Sequence, residues 1–288
     1  MMRWHESGQM SLSGAALRLA TEIDEAVRLL ASSWHADEER HPATLPVDVL
    51  QRLDYLRSFP HQASFAAFPP GDEQGLAAFV SALPDNGPVT LPGQPKVEEI
   101  LTPAACYHVY AARQGQRRTA PEYVTTANTC FRRERAYVPL RRQWSFWMRE
   151  IVCLGTPADV AAFLAEARES VRALCALLDI EISWEPATDP FFQPLSNPGF
   201  LLQKVSPTKF EAVHGGDLAI ASVNLHHDHF GAAFDIVQAD EPVTTGCVAF
   251  GVERWLLTIT ERYGKDPAGW PSLADAAGKL VADRRGRT

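Results

Sequence analysis

Apolar residues recur at helical spacing through residues 12–33, at Ala16, Leu17, Leu19, Ile23, Val27 and Leu30, and predict an amphipathic helix. A shorter helix is expected over residues 47–56, a strand over 63–68 and another helix over 103–112. Proline and glycine crowd residues 69–95, apart from a short apolar stretch at 76–83, and predict a loop. Two long strand-like runs, 123–134 and 143–154, predict a β-hairpin closed by the loop Arg135–Arg142. Thr156 can cap a helix and Pro157 suits its first position, so a helix is expected from there to about Leu178. Further strands are expected near 200–205, 218–225 and 245–250, and Gly251 opens a helix through Arg262. The strands do not alternate regularly with helices. The pattern therefore predicts an α+β fold with an antiparallel sheet, arranged as a helical extension over residues 1–44 and one larger domain over 45–288.

Composition narrows the classes. Hydrophobic residues make up 46% of the 288 and charged residues 22%, the balance of a globular chain. No apolar run approaches the ~20 residues of a membrane helix, and residues 1–10 lack the apolar core of a signal peptide, so a cytoplasmic location without membrane contact is expected. A net charge of −8 argues against a surface that grips nucleic acid all over. The five cysteines are widely spaced and include no CxxC, which disfavours a disulfide framework.

Strand alternation places Cys130, Arg132 and Glu134 on one face of the hairpin's first strand. It places Trp144, Phe146, Met148, Glu150 and Val152 on one face of the second, with Arg142 at the same parity. Arginine forks suit phosphate, and an aromatic ring can stack a purine, so a nucleotide site is one coherent reading. A solvated hairpin with outward charges is the other, and the pattern alone leaves both open.

Phe131-Arg132-Arg133-Glu134, followed after the loop by Arg142-x-x-x-Phe146-x-x-x-Glu150, resembles motif 2 of class II aminoacyl-tRNA synthetases. Gly246–Arg254 is similar to motif 3, and Arg57-Ser58-Phe59-Pro60-His61 more weakly to the dimer-forming motif 1. Trp147–Glu150, Asp189-Pro190-Phe191-Phe192 and Ser222–Gly231 look like the amino acid:carrier protein ligases, which resemble the catalytic core of the zinc-dependent seryl-tRNA synthetases of methanogens. The resemblance covers roughly residues 45–265.

It implies a class II antiparallel sheet flanked by helices, a homodimer, and activation of glycine or alanine with ATP, followed by transfer to the phosphopantetheine thiol of a small carrier protein. Zn2+ would be held by Cys106, Glu150 and Cys247. Those ligands lie 44 and 97 residues apart in sequence, a separation that says nothing without the resemblance. ATP would meet Arg132, Arg142 and Arg254 as catalytic cations, with Glu134 and Phe146 at the adenine. Ser222 and Asn224 would line the amino acid pocket, and so would the His226–His229 cluster, which cannot converge as a metal box on a regular strand. Class II enzymes place a Mg2+ carboxylate just before the Ser222 segment, which here reads Leu218-Ala219-Ile220-Ala221. The acids nearby are Glu211, Asp217 and Asp235, none at the usual offset, and Glu211 is taken as the candidate. The alternatives are tRNA charging of the seryl type, disfavoured by the absence of a long basic arm, and a non-catalytic paralogue that binds a nucleotide or a partner.

Overall fold

The computed structural model describes residues 1–91 and 96–285. Its centre is a seven-stranded sheet. In chain order the strands are β1 (Asp37–Glu39), β2 (Glu122–Phe131), β3 (Ser145–Gly155), β4 (Ser183–Ala187), β5 (Lys209–His214), β6 (Leu218–His227) and β7 (Thr244–Gly251). They lie in the order β4-β5-β6-β7-β3-β2-β1, antiparallel except for β1, which runs parallel to β2.

One face of the sheet is apolar. Ile151, Cys153, Ala212, Val223, Val248 and Phe250 alternate inward against three helices, α1 (Ala15–Ala31), α2 (Pro157–Leu177) and α5 (Val252–Tyr263). The other face carries the polar residues of the alternation. Paired positions of an antiparallel sheet share a face, so the row Glu211–Ser222–Ala249–Glu150–Thr126 crosses it from β5 to β2. The next row out is Lys209–Asn224–Cys247–Val152–Val124.

The antiparallel α+β architecture is the one the pattern predicts, and α2 begins as expected, with Thr156 and Asp159 forming a reciprocal capping box. Other elements differ. Residues 200–205 form no strand. They lie in helix α3 (Pro198–Val205), because Pro198 occupies the first helical position and the Asn197 side chain accepts from Gly199 N and Phe200 N. The predicted loop contains a helix, Glu73–Ser81, capped by Asp72; residues 92–95 of that loop lie outside the described residues. The helix expected over 47–56 breaks at Asp54, which adopts φ +54°. The one over 103–112 is formed only over Tyr107–Ala111. The strand at 63–68 shrinks to Phe65–Ala66. Both hairpin strands stop short of the loop residues assigned to them: β2 ends at Phe131 and β3 begins at Ser145.

Residues 1–44 are not purely helical. They comprise a hairpin (Met2–His5 with Gln9–Leu12), α1 and the edge strand β1, and α1 shares the core of the main sheet. The segment past Asp266 adds α6 (Leu273–Arg285), which packs on α1. No helix among the described residues is long and apolar enough to cross a membrane.

Helix α4 (His229–Phe234) sits on the chain that leads into β7 at a contact only glycine permits. A Cβ on Gly231 would stand 2.3 Å from Val243 O and 2.7 Å from Val243 N, both backbone atoms that cannot swing aside. Gly231→Ala should therefore destabilise the protein by about 2–3 kcal/mol, measurable as a lowered denaturant midpoint at unchanged m-value.

Candidate active site

The polar face of the sheet is the floor of a 660 Å³ cavity. At one end Cys106, Glu150 and Cys247 meet, with ligand atoms all within 4.8 Å of one another. All three are buried. Cys247 and Glu150 come from the middles of the adjacent strands β7 and β3, while Cys106 stands just before the short helix Tyr107–Ala111. Glu150 Oε1 accepts from Ala105 N at 2.8 Å and from Cys106 N at 3.3 Å, which fixes the carboxylate toward the thiols. Asn224, directly opposite Cys247 on β6, donates from Nδ2 to Cys247 Sγ at 3.4 Å.

Three acidic groups in one dry spot cannot all ionise without a cation. The hydrogen bond with Cys247, then burial and the Glu150 charge, hold the Cys106 thiol well above its usual range. At Cys247 the bond from Cys106 favours the thiolate, but burial and the Glu150 charge outweigh it, and this thiol is raised too. Two thiols and a carboxylate at such separations suit a tetrahedral cation, whose ligands at ~2.0–2.3 Å stand ~3.7 Å apart. The donor set thus fits Zn2+ and leaves a fourth position open toward the cavity.

The His226–His229 cluster does not converge on this point. The β6 strand bulges between Leu225 and His227, and His227 takes φ +51°. His226 turns into the cavity, one ring nitrogen 3.1 Å from Thr245 Oγ1 and the other 3.8 Å from Cys247 Sγ. Enclosure, with the neighbouring His229, pushes its imidazole down to about 3, so it is neutral near pH 7. Behind it Tyr110 and Phe230 stack at 3.9 Å. His227 and His229 line the cavity with it, as do Ser222 and Asn224, whose side chains bond each other at 3.2 Å.

The other end of the cavity is cationic. Arg132 lies just past the end of β2, its guanidinium 5.1 Å from the centre of the Phe146 ring. Arg132 Nε donates to Pro103 O at 2.8 Å, and among the described residues its Nη atoms have no protein partner. Arg254, in the first turn of α5, donates from Nε to Arg141 O and from Nη1 to Ala219 O. Burial and then the like charges of Arg132 and Arg142 lower its pKa. Arg142 is mostly exposed and stands 3.8 Å from Glu134, which lies in the loop and not on the strand. Glu211 faces the cavity paired with Lys209 at 3.3 Å.

The tip of the N-terminal hairpin braces this loop. Gly8 O accepts from Trp144 N at 2.7 Å, and Tyr137 covers Gly8 so closely that a Cβ there would lie 2.6 Å from its ring. Trp144 itself points away, donating from Nε1 to Ser64 Oγ. Residues 57–61 end a four-residue helix beside the cavity, where Phe59 packs on Phe191.

Sequence reasoning assigned no role to several lining residues. Gln203 and Leu202 reach the cavity from α3; Asn197-Pro198 was the signal for that helix. Asp189 is held by Lys209 at 3.0 Å and by Gln203, and the Lys209 charge, against burial, keeps its carboxyl below the usual range. Glu253, part of the motif 3 segment, lines the cavity half-buried.

No model of a known protein family matches the chain. It is 32% identical over 279 residues to Amino acid--[acyl-carrier-protein] ligase 1 of Bradyrhizobium diazoefficiens, covering 93% of this chain and 85% of that one. It is 26% identical over 265 residues to the Type-2 serine--tRNA ligase of Methanococcus maripaludis, covering 85% of this chain and 51% of that one, so it spans about half the length of that relative. Among solved structures, the M. kandleri SerRS in complex with A. aeolicus tRNASec superposes with a TM-score of 0.77 at 18% identity, over 97% of this chain and 58% of that one. That likeness fixes the fold as that of a class II aminoacyl-tRNA synthetase. By its identity to the Bradyrhizobium ligase along most of both sequences, the chain belongs to the amino acid--[acyl-carrier-protein] ligase family.

Proposed function

We propose that the cavity activates a small amino acid, glycine or alanine, as its adenylate, and passes it to the phosphopantetheine thiol of a carrier protein. The observation that carries this reading is the Cys106–Glu150–Cys247 cluster opening into the same cavity as Arg132 and Arg254. A bound Zn2+ would supply a positive open position for the neutral amine of the amino acid. Asn224 holds Cys247 toward that position. His226, backed by the Tyr110–Phe230 stack, closes the space beyond it and so favours a small side chain.

ATP would lie along the cationic end. Arg132, with its Nη atoms free of partners among the described residues, meets the α-phosphate, where negative charge grows as the amino acid carboxylate attacks phosphorus and pyrophosphate departs. The guanidinium of Arg254, fixed at two carbonyls, and the exposed Arg142 hold the outer phosphates or, for Arg254, the adenine opposite Phe146. Glu134 orients Arg142 or the adenine amino group. Mg2+ would be carried largely on the phosphates and waters, with Glu211 as the nearby protein carboxylate. No protein nucleophile is required; positioning and charge neutralisation do the work. The carrier thiolate then attacks the adenylate carbonyl carbon, and AMP leaves as the thioester forms. A homodimer belongs to this reading and is measurable as mass in solution.

Purified protein should catalyse pyrophosphate exchange with ATP and one or two small amino acids out of twenty, and should load a phosphopantetheinylated carrier but not tRNA. Loading of tRNA with serine would instead place the chain with the seryl enzymes, and no exchange with any amino acid would point to a non-catalytic paralogue. Arg132→Ala should lower exchange by about 10²–10³-fold; near-normal exchange would remove Arg132 from the reaction. Elemental analysis should find about one zinc per chain, lost in Cys106→Ala and Cys247→Ala together with amino acid binding. Full activity in zinc-free protein would count against the metal site.

A further inference from the structure

The ladder between β7 and β3 ends at the pair Gly251–Met148, because β7 gives way to α5 there. The next N–H along β3, that of Trp147, has lost its strand partner. Glu253 replaces it. Both carboxylate oxygens lie 3.0 Å from Trp147 N. The following residue is Arg254, whose guanidinium bridges Arg141 O in the motif 2 loop and Ala219 O beside the bulge in the β5–β6 pairing. The first turn of α5 is thus tied to the motif 2 strand at one point, Glu253, and presents its arginine to the cavity from that point.

We propose that Glu253 is a positioning residue of the nucleotide site, holding the start of α5 on the start of β3 so that Arg254 meets ATP, and that its charge state sets ATP affinity. The proposal rests on reading the cavity as an ATP site.

Burial raises the Glu253 carboxyl to about 7, against the hydrogen bond from the Trp147 N–H and against the Arg254 charge, which favour the anion. These groups face it from α5 and from segment 143–147, and the buried Cys130 thiol faces it from β2, raised by burial and in part by the Glu253 charge; Glu211 on β5 and Glu134 in the loop act on Arg254 instead. A carboxyl raised in this way is neutral below pH 7 and gains charge above it. That charge offsets Arg254 and opposes the polyphosphate, so ATP affinity falls as pH rises through 7. By linkage, ATP binding draws a proton onto Glu253.

The test is calorimetric titration with ATP alone, from pH 6 to 8.5, in buffers of different ionisation enthalpy, for the wild type, Glu253→Gln and Glu253→Ala. Glutamine keeps an oxygen for the Trp147 N–H and removes the titration. It should match the wild-type Kd at pH 6 within about twofold. The wild-type Kd should then rise about 5- to 10-fold more than that of the glutamine variant by pH 8.5. The proton uptake in excess of the glutamine variant should centre near pH 7; the proton that ATP itself binds is common to both and cancels. Glu253→Ala, which strands the N–H, should bind ATP about 10-fold more weakly at every pH. Identical pH profiles for wild type and Glu253→Gln, wild-type ATP affinity in Glu253→Ala, or no ATP binding by the wild type would each overturn the proposal. Pyrophosphate exchange on the same samples reads the proposed reaction separately: ATP binding with the expected pH shift but no exchange would sink that reading and leave Glu253 standing.

Discussion

Two thiols and a carboxylate packed side by side under the middle of the sheet are the demand the rest of this fold answers. Each is an acid, none is exposed, and no basic side chain among the described residues pairs with Glu150. Burying that much latent negative charge costs far more than ordinary packing recovers unless a cation balances it or the protons stay on. The raised Cys106 and Cys247 thiols are the protonated solution; a bound divalent cation is the other. Either way the cluster needs fixed neighbours. The Ala105 and Cys106 N–H groups supply them for Glu150, and Asn224 supplies one for Cys247.

The sheet delivers these groups by alternation. A single antiparallel sheet can be apolar on one face, where the helices α1, α2 and α5 pack, and chemically active on the other. The cationic end of the cavity needs a different device, because an arginine inside a strand has little freedom to aim. Arg132 sits just past a strand end and Arg254 in the first turn of a helix. Strand interiors hold Glu150 and Cys247, with Cys106 brought in from the start of a short helix, and a strand end and a helix start hold the arginines that would grip a larger, charged molecule.

The parts legible in the sequence were those whose signals are local and whose period is unambiguous. The hairpin, the Thr156 cap with Pro157 after it and the glycine-opened helix at 251 were of this kind. The strand pattern placed Phe146, Met148 and Glu150 on a common face, and that face is the floor of the cavity. What the pattern missed came from context. Phe200-Leu201-Leu202 reads as a strand until Asn197 and Pro198 are weighed as a cap, and the exposure of Leu202 shows that no sheet neighbour awaits it. The edge strand β1 is three residues of Asp and Glu, a composition no propensity scale would make a strand. The meeting of Cys106 with residues 44 and 141 positions away was visible only through the resemblance.

Why those acidic residues line the sheet edge follows from Arg149. It precedes Glu150 on β3 and therefore faces the opposite side, toward α1. There it is buried, forks onto both oxygens of Asp24 at 2.7 and 2.8 Å, and reaches Glu38 on β1 at 3.0 Å. Adjacent residues of one strand thus carry opposite charges to opposite faces, one to the ligand cluster and one to the helix layer. A slip of β3 by one residue would exchange them. It would drive a guanidinium between two thiols and a carboxylate among the aliphatic side chains of the core, leaving Asp24 and Glu38 without their partner. Stranding a buried charge such as Arg149 or Glu150 costs on the order of 3–5 kcal/mol, so the slipped register is excluded at both positions at once. The Arg149 ion pairs add little to stability as isolated contacts. Their physical effect is to fix which face of the sheet becomes the active one.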